Sequence, residues 1–120
     1  MLKRNRLSLL ALIFIVFAAY INTLSNQFVS DDIKYIQKSS IIQEFAFNKT
    51  SLQKIFLPAK NDIGTQLAGY IPLTTMTLGI DSMIYGLSPA GFHLTNIFIY
   101  ILCIVSAYFF CMHISSQQSV

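Results

Sequence analysis

Two apolar runs frame the chain, and a mixed segment joins them. The first reads Leu-Ser-Leu-Leu-Ala-Leu-Ile-Phe-Ile-Val-Phe-Ala-Ala-Tyr-Ile-Asn-Thr-Leu from Leu7 to Leu24, and the second runs from Phe92 to Ile114. As helices rising 1.5 Å per residue they extend ~27 Å and ~34 Å, against a hydrocarbon core of ~30 Å. Lys3, Arg4 and Arg6 precede the first run, and every other charged residue lies between Asp31 and Asp81. Residues 7–30 and 82–120 hold only His93 and His113, which are expected to be mostly neutral. A short folded chain leaves roughly a third of its unfolded surface in water, so one small core could not hide both runs. The pattern predicts an all-α membrane protein with two transmembrane helices joined by an outer loop with short membrane-surface helices.

The joining segment, residues 25–91, is not a linker, since it lacks low complexity and carries helical signals. Ser30 or Asp31 can cap a helix through Ile33, Tyr35, Ile36 and onward. Ser51 can cap a second that holds Leu52, Ile55 and Phe56 and is stopped by Pro58. A third starts near Tyr70-Ile71-Pro72, with proline in the first turn. Its apolar residues Leu73, Met76, Ile80, Met83 and Ile84 cover ~100° of the helical wheel, with Thr74, Thr75, Asp81 and Ser82 opposite. This helix is too short to span and suited to the membrane interface, with Asp81 on its wet face. Gly86-Leu87-Ser88-Pro89-Ala90-Gly91 then turns the chain into the second span.

Composition agrees with this outline. The chain is 54% hydrophobic and 11% charged, where about a quarter charged is usual for a soluble domain. The net charge of +3 resolves to the N-terminal basic cluster, because residues 31–81 carry five lysines and five acids. A basic cluster abutting an apolar run is a cytoplasmic membrane flank, not a nucleic-acid stripe, which excludes nucleic acid as a partner. The expected topology places residues 1–6 in the cytoplasm, the 25–91 loop outside the plasma (inner) membrane, and the 115–120 tail back inside. A cleaved signal peptide is the competing reading of the first run, but no small-x-small cleavage pattern follows it. Cys103 and Cys111, eight apart on one helix, lie ~12 Å apart and cannot pair.

Asp31-Asp32 is the one acidic cluster, seven residues past the first span and so at lipid head-group depth. Adjacent carboxylates can raise one another's pKa, hold a divalent cation through oxygen, or act as a general base. The structural alternative is that acids at a helix N-terminus satisfy free N–H groups and the macrodipole. His93 and Asn96, three apart at the start of the second span, share a face and can line a site or bond a neighbouring helix. A solvated interfacial histidine is the simpler alternative. Asn48-Lys49-Thr50 matches a glycosylation sequon, a pattern common by chance. His113 suits a helix C-terminus. No metal-ligand spacing, phosphate-binding glycine loop or hydrolase triad signature is present. From the residues alone, this is an outward-facing acidic site between two spans.

The order of features resembles a known family. Asn26-Gln27-Phe28-Val29-Ser30-Asp31-Asp32 follows the first span, then Leu52-Gln53-Lys54-Ile55-Phe56 and Tyr70-Ile71-Pro72-Leu73-Thr74-Thr75-Met76-Thr77. Tyr85-Gly86-Leu87-Ser88-Pro89-Ala90-Gly91-Phe92-His93-Leu94-Thr95-Asn96 leads into the second. From about residue 8 to 112 this is similar to the N-terminal part of polytopic GT-C glycosyltransferases, nearest to O-mannosyltransferase-like proteins carrying tetratricopeptide repeats. The resemblance implies a polyprenyl-phosphate sugar donor, a protein or glycan acceptor, and transfer outside the cytoplasm with inversion. It implies Asp31 as the base that deprotonates the acceptor, with Asp32 orienting it or holding a divalent cation. Tyr70, His93 and Asn96 are then the expected substrate-binding residues. The family commonly has arginine where Ile71 stands, and an arginine could bind the donor phosphate bidentately. The family also uses many spans, so the chain is expected to be a truncated N-terminal piece, inactive alone. The alternatives are a two-span hairpin acting as a non-enzymatic subunit or scaffold, and a one-span domain behind a cleaved signal.

Overall fold

The computed structural model describes residues 2–57 and 70–117. The described residues are helical or irregular, with no strand among them. The chain divides into two units, one comprising the segments up to Ser25 and from His93, the other comprising Asn26–Phe92.

In the first unit, α1 (Leu2–Tyr20) runs on as a tighter 3₁₀ turn over Ile21–Ser25. The tightening has a local cause. Thr23 Oγ1 donates to the Tyr20 carbonyl at 2.7 Å, and Ser25 Oγ donates to the Asn22 carbonyl at 2.8 Å. These hydroxyls satisfy carbonyls left free at the helix end. The last helix of the chain, Pro89–Gln117, carries the second apolar run. Arg6–Ser25 and Pro89–Ser115 each have a mean hydropathy of 2.3 and are long and apolar enough to cross a membrane. Only 6% of either apolar window is buried, unlike the core helix of a soluble protein. Within this unit the Tyr20 and Tyr100 rings meet edge-on at 5.4 Å and 74°, a favoured aromatic geometry.

The helical boundaries exceed those expected from apolarity alone. The first helix starts within the basic flank, and the second starts three residues before Phe92 and continues to Gln117, so that the described residues of the expected tail, 115–117, are helical. Backbone hydrogen bonding does not stop where apolarity stops, and Pro89 is well placed to open a helix. The turn is therefore confined to Gly86–Ser88, with Gly86 at φ 63° and ψ −138°, a conformation essentially reserved for glycine.

Among its described residues the second unit holds three α-helices besides the Ile33–Gln37 segment. They are α2 (Ser40–Gln43), α3 (Lys49–Phe56) and α4 (Pro72–Tyr85), and the Pro89–Gln117 helix is α5. Both α2 and α3 pack against α4. Phe28, Ile36, Ile42 and Phe92 form the core, with Leu78 of α4 packed on it. The Phe28 and Phe92 rings meet edge-on at 5.3 Å, which joins the two sequence ends of the unit.

Three expectations for this unit are corrected. The helix expected from Ser30 or Asp31 onward does begin at Asp31, but over Ile33–Gln37 it is wound as a π-helix, closed by Lys38 N–H to the Ile33 carbonyl at 3.1 Å. It then breaks, and the separate turn α2 follows, placing Ile36 and Ile42 in the same core. The cap of α3 is Asn48, whose Oδ1 accepts from Ser51 N–H at 2.8 Å. Ser51 lies inside the helix, and its Oγ accepts from Ala46 N–H at 3.4 Å. Pro58 as the stop of this helix lies outside the described residues.

Asp81 is the third correction. It is not on a wet face but 5% exposed, while Leu73, Met83 and Ile84 of the apolar stripe are 67%, 50% and 64% exposed. The helix packs through its small and polar side because Gly79 lets the Phe45 ring lie directly on its backbone. The apolar stripe is thereby left largely outward.

Candidate carboxylate site

The acid pair is positioned by the core beneath it. Phe28 is buried, Val29 and Ser30 are exposed, and Ser30 takes a left-handed backbone at φ 49°. Asp32 N–H donates to the Val29 carbonyl at 3.0 Å, closing a tight turn before the π-helical segment. Ile36 anchors the far end of that segment in the core. A non-glycine residue in the left-handed region is uncommon, and here it reverses the chain so that the acid pair lies at the turn.

Asp31 is exposed and Asp32 partly exposed. Asp32 occupies the cap position of the π-helical turn, yet its side chain makes no capping hydrogen bond. Among the described residues neither carboxylate has a hydrogen bond or an ion pair. Of the expected structural role, the capping of free N–H groups is not seen, while both acids do stand at the start of the helical segment 31–37, where they suit the macrodipole. Two acceptor-only groups side by side in solvent can take a proton, a cation or a hydroxyl donor.

Tyr70 lies in the same unit. Its hydroxyl donates to the Phe56 carbonyl at 3.0 Å, and its side chain is otherwise exposed. The Phe56 carbonyl belongs to the last turn of α3, whose acceptors lack helical partners. Tyr70 thus ties the start of α4 to the end of α3, and no hydrogen bond joins it to Asp31 or Asp32. Ile71, at the position where the family resemblance expects arginine, caps α4 through its backbone: its carbonyl accepts from Thr75 N–H at 3.0 Å and Thr75 Oγ1 at 3.1 Å.

His93 and Asn96 belong to the other unit, on α5. They share a helix face, but their environments differ: Asn96 is exposed, while His93 is partly buried. His93 Nε2 is buried and has no hydrogen-bond partner among the described residues. His113, near the end of α5, has its Nε2 3.2 Å from Gln117 Nε2. No group of three or more His, Cys, Asp or Glu that could hold a metal is found among the described residues. Any cation at the acid pair would therefore rest on two carboxylates and on oxygens from elsewhere.

Two features escaped the reading of the sequence. The Asn48 cap was legible in principle, because asparagine is a strong cap residue and stands directly before Lys49. The burial of Asp81 was signalled weakly by Thr77 and Gly79, small residues that mark a close-packing face. Comparison with protein-family models, curated proteins and solved structures finds no match for this chain.

Proposed function

We propose that the chain forms the first two spans and first outer loop of an integral-membrane glycosyltransferase of the GT-C type. It would transfer a sugar from a polyprenyl-phosphate donor to a protein or glycan acceptor on the outer side of the plasma membrane, with its N-terminus in the cytoplasm. The observation that carries this reading is the pair Asp31 and Asp32, held at a tight turn seven residues past an apolar helix with their carboxylates uncommitted.

In this reading Asp31 accepts the proton of the acceptor hydroxyl as its oxygen attacks the anomeric carbon. The bond from that carbon to the phosphate oxygen breaks, and polyprenyl phosphate leaves with the electron pair. Asp32 orients Asp31 or shares a divalent cation with it. Tyr70, His93 and Asn96 contact the substrates.

The test uses membranes from cells that express the protein from its own locus, supplied with radiolabelled polyprenyl-phosphate mannose. Asp31→Asn should lower transfer by ~10²–10⁴-fold, the usual contribution of a general base, with membrane insertion unchanged. Unaltered transfer in that variant refutes the role.

A second reading, a non-enzymatic hairpin that assembles with another membrane protein, is favoured by His93. A buried ring nitrogen without a partner is costly, and a polar group from a neighbouring helix would satisfy it. Under this reading His93→Phe disrupts a co-purifying complex while Asp31→Asn and Asp32→Asn leave it intact.

A further inference from the structure

Two features meet at the start of α3, a sequon and an open groove, and the carboxylates use neither. Asn48-Lys49-Thr50 is the one Asn-x-Ser/Thr sequence in the chain, and its middle residue is not proline. Asn48 and Thr50 are both exposed, and Asn48 lies in extended backbone at φ −135° and ψ 164°. Chemistry fixes which way the Asn48 amide faces. The Ser51 N–H, at 2.8 Å, can donate only to the amide oxygen, so Oδ1 turns toward the start of α3 and Nδ2 away from it. Among the described residues neither Asn48 Nδ2 nor the Thr50 hydroxyl has a hydrogen bond. The groove, of about 500 Å³, begins at the same asparagine, which lines it together with Phe47, Lys49, Gln53 and Leu57. Phe47 and Leu57 are 66% and 76% exposed, and the Phe47 ring is held edge-on at 5.4 Å from the buried Phe45.

We infer that Asn48 carries an N-linked glycan whose first sugars lie along this groove. Asn48 Nδ2 attacks the anomeric carbon of a lipid-linked oligosaccharide held by a membrane oligosaccharyltransferase. The bond from that carbon to the diphosphate oxygen breaks, and the lipid diphosphate leaves with the electron pair. One Nδ2 proton passes to a base of the transferase. The product amide keeps its carbonyl oxygen, so the cap of α3 survives the modification. The position of the attachment atom selects the occupant of the groove, because a sugar on Nδ2 is tethered in the groove's own lining. Its chemistry fits as well. A pyranose has an apolar C–H face that can lie on the Phe47 ring, and hydroxyls that the Gln53 amide and the Lys49 ammonium can bond. This inference does not depend on sugar transfer by the chain itself. It requires the 25–91 loop to face away from the cytoplasm, where such glycans are added.

Membranes from cells that express the protein from its own locus are treated with peptide-N-glycosidase and resolved by gel electrophoresis. The chain should gain mobility on treatment, and mass spectrometry should find an aspartate in place of Asn48. Asn48→Gln and Thr50→Ala should lose the shift entirely, whereas Thr50→Ser should keep it. Asn48→Asp retains the helix cap and should also lose the shift, which separates loss of the glycan from loss of the fold. A second arm reads the groove through Leu57→Cys in a chain that also carries Cys103→Ser and Cys111→Ser. Maleimide labelling there should quicken about twofold or more after deglycosylation, because thiol reactivity follows exposure. No shift in the unaltered chain overturns the inference, as does a shift that persists in Asn48→Gln. Equal labelling of Leu57→Cys before and after treatment overturns the packing of the sugars in the groove. Labelling of Lys38→Cys from outside the cell, with Asn48 unmodified, overturns the glycan while leaving the proposed orientation of the loop intact.

Discussion

Phe45 occupies the space that a side chain at Gly79 would need. A Cβ built on Gly79 would lie 2.5 Å from Phe45 Cγ, closer than real carbon contacts allow. This contact sets how α4 sits in the second unit: with the bare backbone at Gly79 against the Phe45 ring and much of its apolar stripe exposed.

Gly79→Ala should therefore destabilise the unit, although alanine is the better helix former by ~1 kcal/mol. Overpacking costs typically ~1–3 kcal/mol, and here the ring must move or α4 must lift. Hydrogen exchange across 72–85 in detergent should accelerate in this variant. Unchanged or slower exchange would mean that Phe45 yields without cost.

Asn48→Ala should remove the cap of α3 at a cost of ~1 kcal/mol, whereas Asn48→Asp should retain it. The expected signature is faster exchange of the Ser51 amide, whose N–H donates to Asn48 Oδ1. Equal exchange in the alanine variant would show that water replaces the cap fully.

Tyr70→Phe separates two roles for one hydroxyl. If its bond to the Phe56 carbonyl is what matters, the variant loses ~0.5–1.5 kcal/mol, and proteolysis near the end of α3 quickens. If the hydroxyl serves a sugar substrate, KM for the donor rises with no change in proteolysis.

Topology can be read from Lys38→Cys, an exposed position just past the π-helical turn. With both native cysteines replaced by serine, this thiol should react with a membrane-impermeant maleimide added to intact cells. Labelling only after permeabilisation would place the carboxylates on the cytoplasmic side and remove the proposed transfer reaction.

The two long helices, their order and the proline start of α4 at Pro72 were legible because each depends on local composition, whereas Pro89 was read as part of the turn and opens α5 instead. An apolar run long enough to span, or a residue with no N–H to lose, acts within a few residues of itself. The amphipathic wheel of α4 was equally legible as a pattern, and its Leu73, Met83 and Ile84 edge is real. Which side of that helix packs was not legible, because it depends on Phe45, more than thirty residues away in sequence.

The same division holds at the acid pair. The sequence by itself determined that two adjacent carboxylates follow an apolar helix at short range. Only the tertiary structure decided that neither makes a side-chain hydrogen bond among the described residues: Phe28, Ile36 and Ile42 share one core, and between Phe28 and Ile36 the chain passes through the left-handed Ser30 and into a π-helical turn. Pattern along a chain reports what each residue prefers. Packing between distant residues determines which preferences are met, and it met those of the core at the expense of a regular helix.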